Sequence, residues 1–381
     1  ARGDTVESPY REGTSGRGEL RFVDGVPLRV LRGTPEEMGR QEALLCRNAG
    51  KDVLLEYPKQ LAEMLEIDGG WDAFVETGRR LLPHISEHHR RELEALAEAA
   101  EIPFDELVAV NTFPDSYRGM MGCSSLLVEP PASKTGGVLF GRNLDFFAHQ
   151  EMSRYTIVKV YAAGKGRFAF ASVGFPGLIG VLSGMNEKGL ALAVHEVRMS
   201  ADRAPQFDPN GVPYMTALRR VLETCETCDQ AAKLLEKMPR TTALNIALAD
   251  RRTTCVVEMT PKTVAVRKAE DDICVCTNHF RTDRLAWIVF PWRYAILREA
   301  ADAKPLGVDD VTAYLDRVNL RFLTVQSMVF ETTPLVLHLA WGKAPATKLP
   351  YRRVDLKPWL LPESKPEKQA ATSSPATAVL P

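Results

Sequence analysis

Across 381 residues no apolar run reaches the roughly 18 residues that would cross a bilayer, so no transmembrane segment is expected. Neither sign of charge is in excess: 48 Lys plus Arg stand against 49 Asp plus Glu, a formal net charge of −1. So balanced a chain lacks the basic field that grips nucleic acid through its phosphates or lies on an anionic membrane. Cysteine is sparse. The seven residues (Cys46, Cys123, Cys225, Cys228, Cys255, Cys274 and Cys276) are too few for a disulfide scaffold, and an odd number leaves at least one unpaired. No internal repeat and no secretory signal is visible. The polar start at Ala1, without an initiator Met, leads us to expect an exported protein, with a cytoplasmic one as the alternative. What is present is ordinary globular material, 45% hydrophobic and 25% charged, sufficient for a sizeable core.

Residues 1–17, polar and rich in Gly and Ser, read as a flexible leader. Residues 363–381, rich in Pro, Ser, Thr and Ala, read as a disordered tail. Between them lie an α-rich segment over 18–122 and a mixed core over 123–362. Strands are expected near 19–23 and 27–32. Thr34-Pro35-Glu36-Glu37 then starts a helix, with Thr34 as N-cap, Pro35 at the first helical position and Glu37 closing a capping box. Helix continues to about 113, with breaks at Pro58, Gly69-Gly70, Pro83 and Pro103. From about 122 to 197 three successive hairpins argue for antiparallel sheet. A helical pair near 213–238, four strands over 243–279, and helices near 282–303 and 308–317 complete an α+β pattern.

One cysteine stands in a suggestive place. The first hairpin, centred near 133–134, puts Asp145 almost directly across from Cys123, with Arg142 close by. A guanidinium favours the thiolate, which is the nucleophilic form. Strand alternation places Arg142 and Asp145 on opposite faces, so both reach the sulfur only if the strand bends near Leu144. His149 is out of register to serve as a base. Gly122 offers another base, because its lack of a side chain permits strained geometry and close approach. Cleavage between Gly122 and Cys123 would make Cys123 an N-terminus, whose α-amine has an ordinary pKa of about 7.7–8.0. One residue would then carry nucleophile and base together.

Met121-Gly122-Cys123-Ser124-Ser125, then Gly141-Arg142-Asn143-Leu144-Asp145-Phe146-Phe147, then Gly184-Met185-Asn186-Glu187-Lys188-Gly189-Leu190, in that order, resemble the N-terminal-nucleophile (Ntn) cysteine hydrolases. The nearest branch is that of acyl-CoA:6-aminopenicillanate acyltransferase, with bile-salt hydrolases and penicillin V acylases as more distant relatives. The resemblance covers roughly 20–345 and implies a four-layer αββα sandwich. It further implies a precursor that cuts itself at Gly122–Cys123, and a mature enzyme, its two fragments able to stay together as a heterodimer, that acts on a linear amide or thioester through an acyl-thioester. The substrate would be a small-molecule or peptide-like acyl amide, with no cofactor and no metal. Arg142 and Asp145 match the family's residues beside the nucleophile. Cys276-Thr277-Asn278-His279-Phe280 resembles its Thr-Asn segment, which gives Asn278 an oxyanion role. Arg293, in Trp292-Arg293-Tyr294, is the best match to a later supporting Arg, although Phe290-Pro291 replaces the usual Ser pair. Where relatives place an oxyanion Asn, this chain has His195 or Glu196. His195 could donate to an oxyanion, and Glu196 only when protonated.

Blander readings compete. His84, His88 and His89 share a helical stretch but lack further ligands, so a solvated face explains them better than a metal. Cys225-x-x-Cys228 is a lone pair, incidental or a local disulfide. Cys274 and Cys276 fit core burial, and Asn186 and Gly189 fit a hairpin turn. Two other functions stay open: an unprocessed thiol hydrolase using His279 or His195 as base, and a non-catalytic binding or scaffold protein on the same fold.

Overall fold

The computed structural model describes residues 8–361 apart from 47–55, 65, 118, 120, 147–151, 165, 288–290 and 344. The tail expected over 363–381, and His149, lie outside the described residues. Strands β1 (Gly13–Ser15), β2 (Gly18–Val23) and β3 (Val26–Leu31) form an antiparallel meander. Order thus begins inside the stretch expected as a flexible leader. Gly16, at φ 55°, makes the turn between β1 and β2, and Tyr10 is buried, its hydroxyl donating to Tyr155 O at 2.6 Å.

Helix α1 (Pro35–Leu45) starts at the expected capping box, with Thr34 N donating to Glu37 Oε2 at 2.7 Å and Glu37 N to Thr34 Oγ1 at 3.3 Å. Helices α2 (Tyr57–Met64), α3 (Gly70–Leu81), α4 (Glu87–Ala100) and α5 (Phe104–Ser116) follow. The described helix α2 starts beside Pro58, where a break was expected. The proline sits in the first turn of α2, where a missing N–H costs nothing.

The three hairpins appear as β4 (Met121–Val128) with β5 (Leu139–Phe146), β6 (Ile157–Tyr161) with β7 (Phe170–Gly174), and β8 (Ser183–Asn186) with β9 (Ala191–Glu196). Next come α6 (Tyr214–Thr224) and α7 (Cys228–Lys237), then β10 (Leu244–Ala249), β11 (Thr254–Met259), β12 (Val264–Lys268) and β13 (Ile273–Cys276). Helix α8 begins only at Trp292 (Trp292–Arg298), not near 282: Pro291 stands at its N-cap, and residues 282–287 run as turn and irregular chain. After α9 (Val308–Arg317) come three strands that the sequence reading missed: β14 (Thr324–Glu331), β15 (Val336–Trp341) and β16 (Arg352–Asp355). A last short helix, α10, spans Lys357–Leu360.

The strands make two sheets. One runs β1-β2-β3-β6-β7-β8-β9-β10-β11-β12, the other β13-β4-β5-β14-β15-β16. Alternation along each strand shows what covers each face. Leu127, Phe140, Met328 and Phe330 of the smaller sheet meet Val158, Val160, Ala171 and Ala193 of the larger. On the smaller sheet's other face Leu126, Val128 and Val329 meet Leu297 of α8 and Val311 and Leu315 of α9. On the larger sheet's other face Ile157, Phe170 and Leu192 meet Leu61, Phe113 and Leu218 from the helices. The chain is therefore an α+β sandwich of helix, sheet, sheet and helix. The pairing of β3 with β6 is parallel, so residues before Gly122 supply part of the larger sheet and not helix alone.

Candidate active site

Cys123 lies near the start of β4, its side chain turned toward the gap between the sheets and fully buried. The hairpin register is one step from expectation: Cys123 faces Leu144, and Asp145 faces Gly122. Arg142, opposite Ser125, lies on the sulfur's face of the sheet. Its Nη2 reaches Cys123 Sγ at 3.5 Å and its Nη1 donates to Val194 O at 2.6 Å. Asp145 stays on the opposite face, as alternation requires, and no bend in β5 brings it round. The irregularity sits instead in β14, where Val325 is an extra residue across from Leu144 and Asp145.

Asp145 acts on the site through Arg293. The guanidinium of Arg293 donates from Nη1 to Asp145 Oδ2 at 3.2 Å and to Cys123 O at 3.1 Å, and from Nη2 to Asn278 Oδ1 at 2.8 Å. Asn278 Oδ1 also accepts from Cys123 N at 2.6 Å. The four polar residues singled out beside Cys123 therefore converge on it, two by way of its backbone. Thr324 Oγ1 donates to Asp145 Oδ1. No signal in the sequence pointed to Thr324, which lies 179 residues from Asp145.

Burial dominates the protonation of these groups. It pushes the Cys123 thiol above its ordinary value, against a smaller opposing pull from Arg142. It raises Asp145 to about 6, with Arg293, Thr324 and Arg142 pulling it down. The uncut chain therefore holds Cys123 as a neutral thiol at neutral pH.

The remaining candidates are placed differently. His195 Nε2 bonds Ser125 Oγ at 2.9 Å, and burial holds the imidazole neutral, well below its ordinary pKa. His279 Nδ1 bonds Thr277 Oγ1 at 2.8 Å, and burial lowers it to about 4. Neither of these bonds is to the sulfur. Asn278 Nδ2 donates to Met121 O at 3.3 Å and Glu196 O at 2.8 Å. The Glu196 carboxylate accepts from the backbone N–H of Gly119 and, at 3.2 Å, of Met121, so it grips the chain just before the expected cut. Gly122 is where a side chain would crowd: a Cβ there would stand 2.7 Å from Leu320 Cδ1 and 3.3 Å from Asp145 Cβ. Beside Met121 and Leu144 opens an apolar pocket, walled by Tyr57 and Phe113 from before Gly122 and by Phe175 and Tyr214 from after it.

Elsewhere, His89 is buried against Glu223 at 3.2 Å and not poised for a metal. Among the described residues no cluster of three metal-ligating side chains occurs. Cys228 turns to Cys255 of β11 and not to Cys225. No helix of the described residues is long and apolar enough to cross a membrane.

The family model described as acyl-coenzyme A:6-aminopenicillanic acid acyl-transferase matches residues 132–300, in line with the likeness read from the motifs at 141–147 and 184–190. The matched stretch contains Arg142, Asp145, His195, Glu196, Asn278 and Arg293, and begins just after Cys123. The chain is also 21% identical over 250 residues to Protein dcd1A of Dictyostelium discoideum, covering 58% of this chain and 55% of that one. It thus spans about half the length of that curated relative. Among solved structures it is similar to a Caenorhabditis elegans N-acylethanolamine-hydrolyzing acid amidase ortholog (17% identity, 55% of this chain, 93% of that one, TM-score 0.43). It is likewise similar to a variant of conjugated bile acid hydrolase from Clostridium perfringens (16% identity, 62% and 93%, TM-score 0.47).

Proposed function

We propose that this chain is a self-processing amidohydrolase or acyltransferase whose nucleophile is Cys123. In processing, the thiol of Cys123 adds to the Gly122 carbonyl and the C–N bond breaks. The released amine takes the proton, leaving Gly122 as a thioester on Sγ. Water then frees Gly122 as a carboxylate and restores the thiol. In turnover the same sulfur attacks a linear amide or thioester, and the acyl group passes to water or an amine. Arg142 and Arg293 favour negative charge at the reacting centre, Asp145 orients Arg293, and Asn278 holds the Cys123 nitrogen that becomes the free amine. The observation that carries this reading is the convergence of Arg142, Asp145, Asn278 and Arg293 on one buried cysteine preceded by glycine. A thiol hydrolase with an imidazole base is not favoured, since His195 and His279 are bonded to Ser125 and Thr277.

The test is the intact mass under denaturing conditions. Scaled from 42.3 kDa, cleavage leaves fragments of about 13.5 and about 28.8 kDa at an ordinary mean residue mass, the larger beginning Cys-Ser-Ser. Cys123→Ala should remain whole and inactive. Self-cleavage of that variant would sink the proposal.

A further inference from the structure

Strand β13 ends at Cys276, opposite Ser125. Strand β4 reaches back past that point to Met121, along an edge that β13 no longer accompanies. In extended backbone the N–H and C=O of every second residue face the same side, which on this side are those of 123 and 121; Gly119, in a bend with φ 106°, turns its own N–H and C=O to the same partners. Side chains take the place of the missing strand. Glu196 accepts the N–H groups of Gly119 and Met121. Arg198 Nη2 donates to Gly119 O at 2.9 Å. Asn278 donates to Met121 O and accepts from Cys123 N, and Arg293 donates to Cys123 O. All six contacts are to backbone atoms, so they recognise peptide and not a particular side chain. Met121 itself borders both the apolar cavity and a second opening of about 600 Å³ lined by Glu196, Arg198, Asn278 and Trp287.

We propose that the track marked by Gly119, Met121 and Gly122 is the acyl subsite of the mature enzyme and that its substrate is a peptidyl amide. The substrate would lie extended, read through its backbone by Glu196, Arg198 and Asn278. Its apolar side chain, one residue before the reacting carbonyl, would enter the cavity beside Met121. This rests on the self-cleavage reading above. The thioester formed from Gly122 and the one formed from a substrate hang on the same sulfur, so the acyl chain leaves it along the same line. This is recognition by strand addition, in which backbone bonds give affinity and a pocket gives selectivity. A fatty acyl group would fill the cavity but offer Glu196 no N–H in exchange for the two it gives up.

The experiment uses processed protein whose new N-terminus has been sequenced, and three p-nitroanilides. These carry acetyl-glycyl, acetyl-Arg-Gly-Met-Met-Gly (the chain's own residues 118–122) and decanoyl groups. The pentapeptidyl anilide should exceed the acetyl-glycyl one in kcat/KM by about 30-fold or more, the scale of one hydrogen bond to a charged group or two ordinary ones. Glu196→Gln should lower the ratio of peptidyl to decanoyl rates by about tenfold. If that variant fails to process, Arg198→Met gives the same comparison. Equal rates for the two glycyl anilides, or a preference for the decanoyl anilide, would overturn the peptide assignment and leave self-cleavage standing. An uncut chain with Cys123 internal would overturn the self-cleavage reading, and this one with it.

Discussion

At the scale of single residues, the proposed self-cleavage should take its pH dependence from Asp145. Its carboxylate anchors Arg293, and its pKa lies near 6. Above that value it is ionised and Arg293 is held over Cys123 O. Below it, protonation removes the charge and the anchor. Cleavage of freshly folded precursor should therefore slow by about tenfold per pH unit below about 6. Rates measured from pH 4.5 to 8 that stay flat through this range would contradict that role. The residues around the sulfur were legible to different degrees. Cys123, Arg142 and Asp145 sit on one hairpin, so local register brings them within reach of one another. Asn278 and Arg293 lie 155 and 170 residues further on, and only a family motif pointed to them. Glu196 was noticed as a stand-in for an oxyanion residue, whereas its carboxylate holds the chain before the cut. Direction of this kind depends on where Gly119 runs, which no local pattern records.

At the scale of elements, the register of β4 against β5 puts Gly122 beside Asp145. Gly122→Ala should fold, since its nearest obstacle is the movable end of Leu320. The scissile bond should shift, however, and displacements of this size cost about 10- to 100-fold in rate. A time course of fragment appearance by gel checks this. The hairpins were readable because tight turns punctuate alternating strands. Strands β14 to β16 were not. Both faces of β14 are buried, so it lacks a polar–apolar rhythm, and its Gln326 Nε2 and Ser327 Oγ donate internally to Thr156 Oγ1 and Asn143 Oδ1. Between α4 and α6, Arg219 forms a two-pronged ion pair with Glu92, at 2.6 and 3.0 Å, both side chains essentially inaccessible. Glu92→Ala strands that guanidinium and should cost about 3–5 kcal/mol in denaturant unfolding. A loss under about 1 kcal/mol would mean that Glu223, also bonded to Arg219, suffices alone.

At the scale of the whole molecule, the segment before the cut is built into the sandwich. It contributes β1 to β3 to the larger sheet, a wall of the apolar cavity, and Glu92 to the ion pair with Arg219. Cleavage should therefore leave both fragments in one particle. After processing they should co-elute on size exclusion in native buffer and separate only in denaturant. Independent elution in buffer would refute this. The long reach from Cys123 to its partners has a consequence during synthesis. While the ribosome is still adding the later strands, the sulfur has neither Asn278 nor Arg293 beside it, so under the proposed self-cleavage a nascent chain should not sever itself before those residues have emerged and docked. Release of the new N-terminus would then be a receipt for completed folding, and a chain truncated before residue 293 should persist uncut however long it is kept.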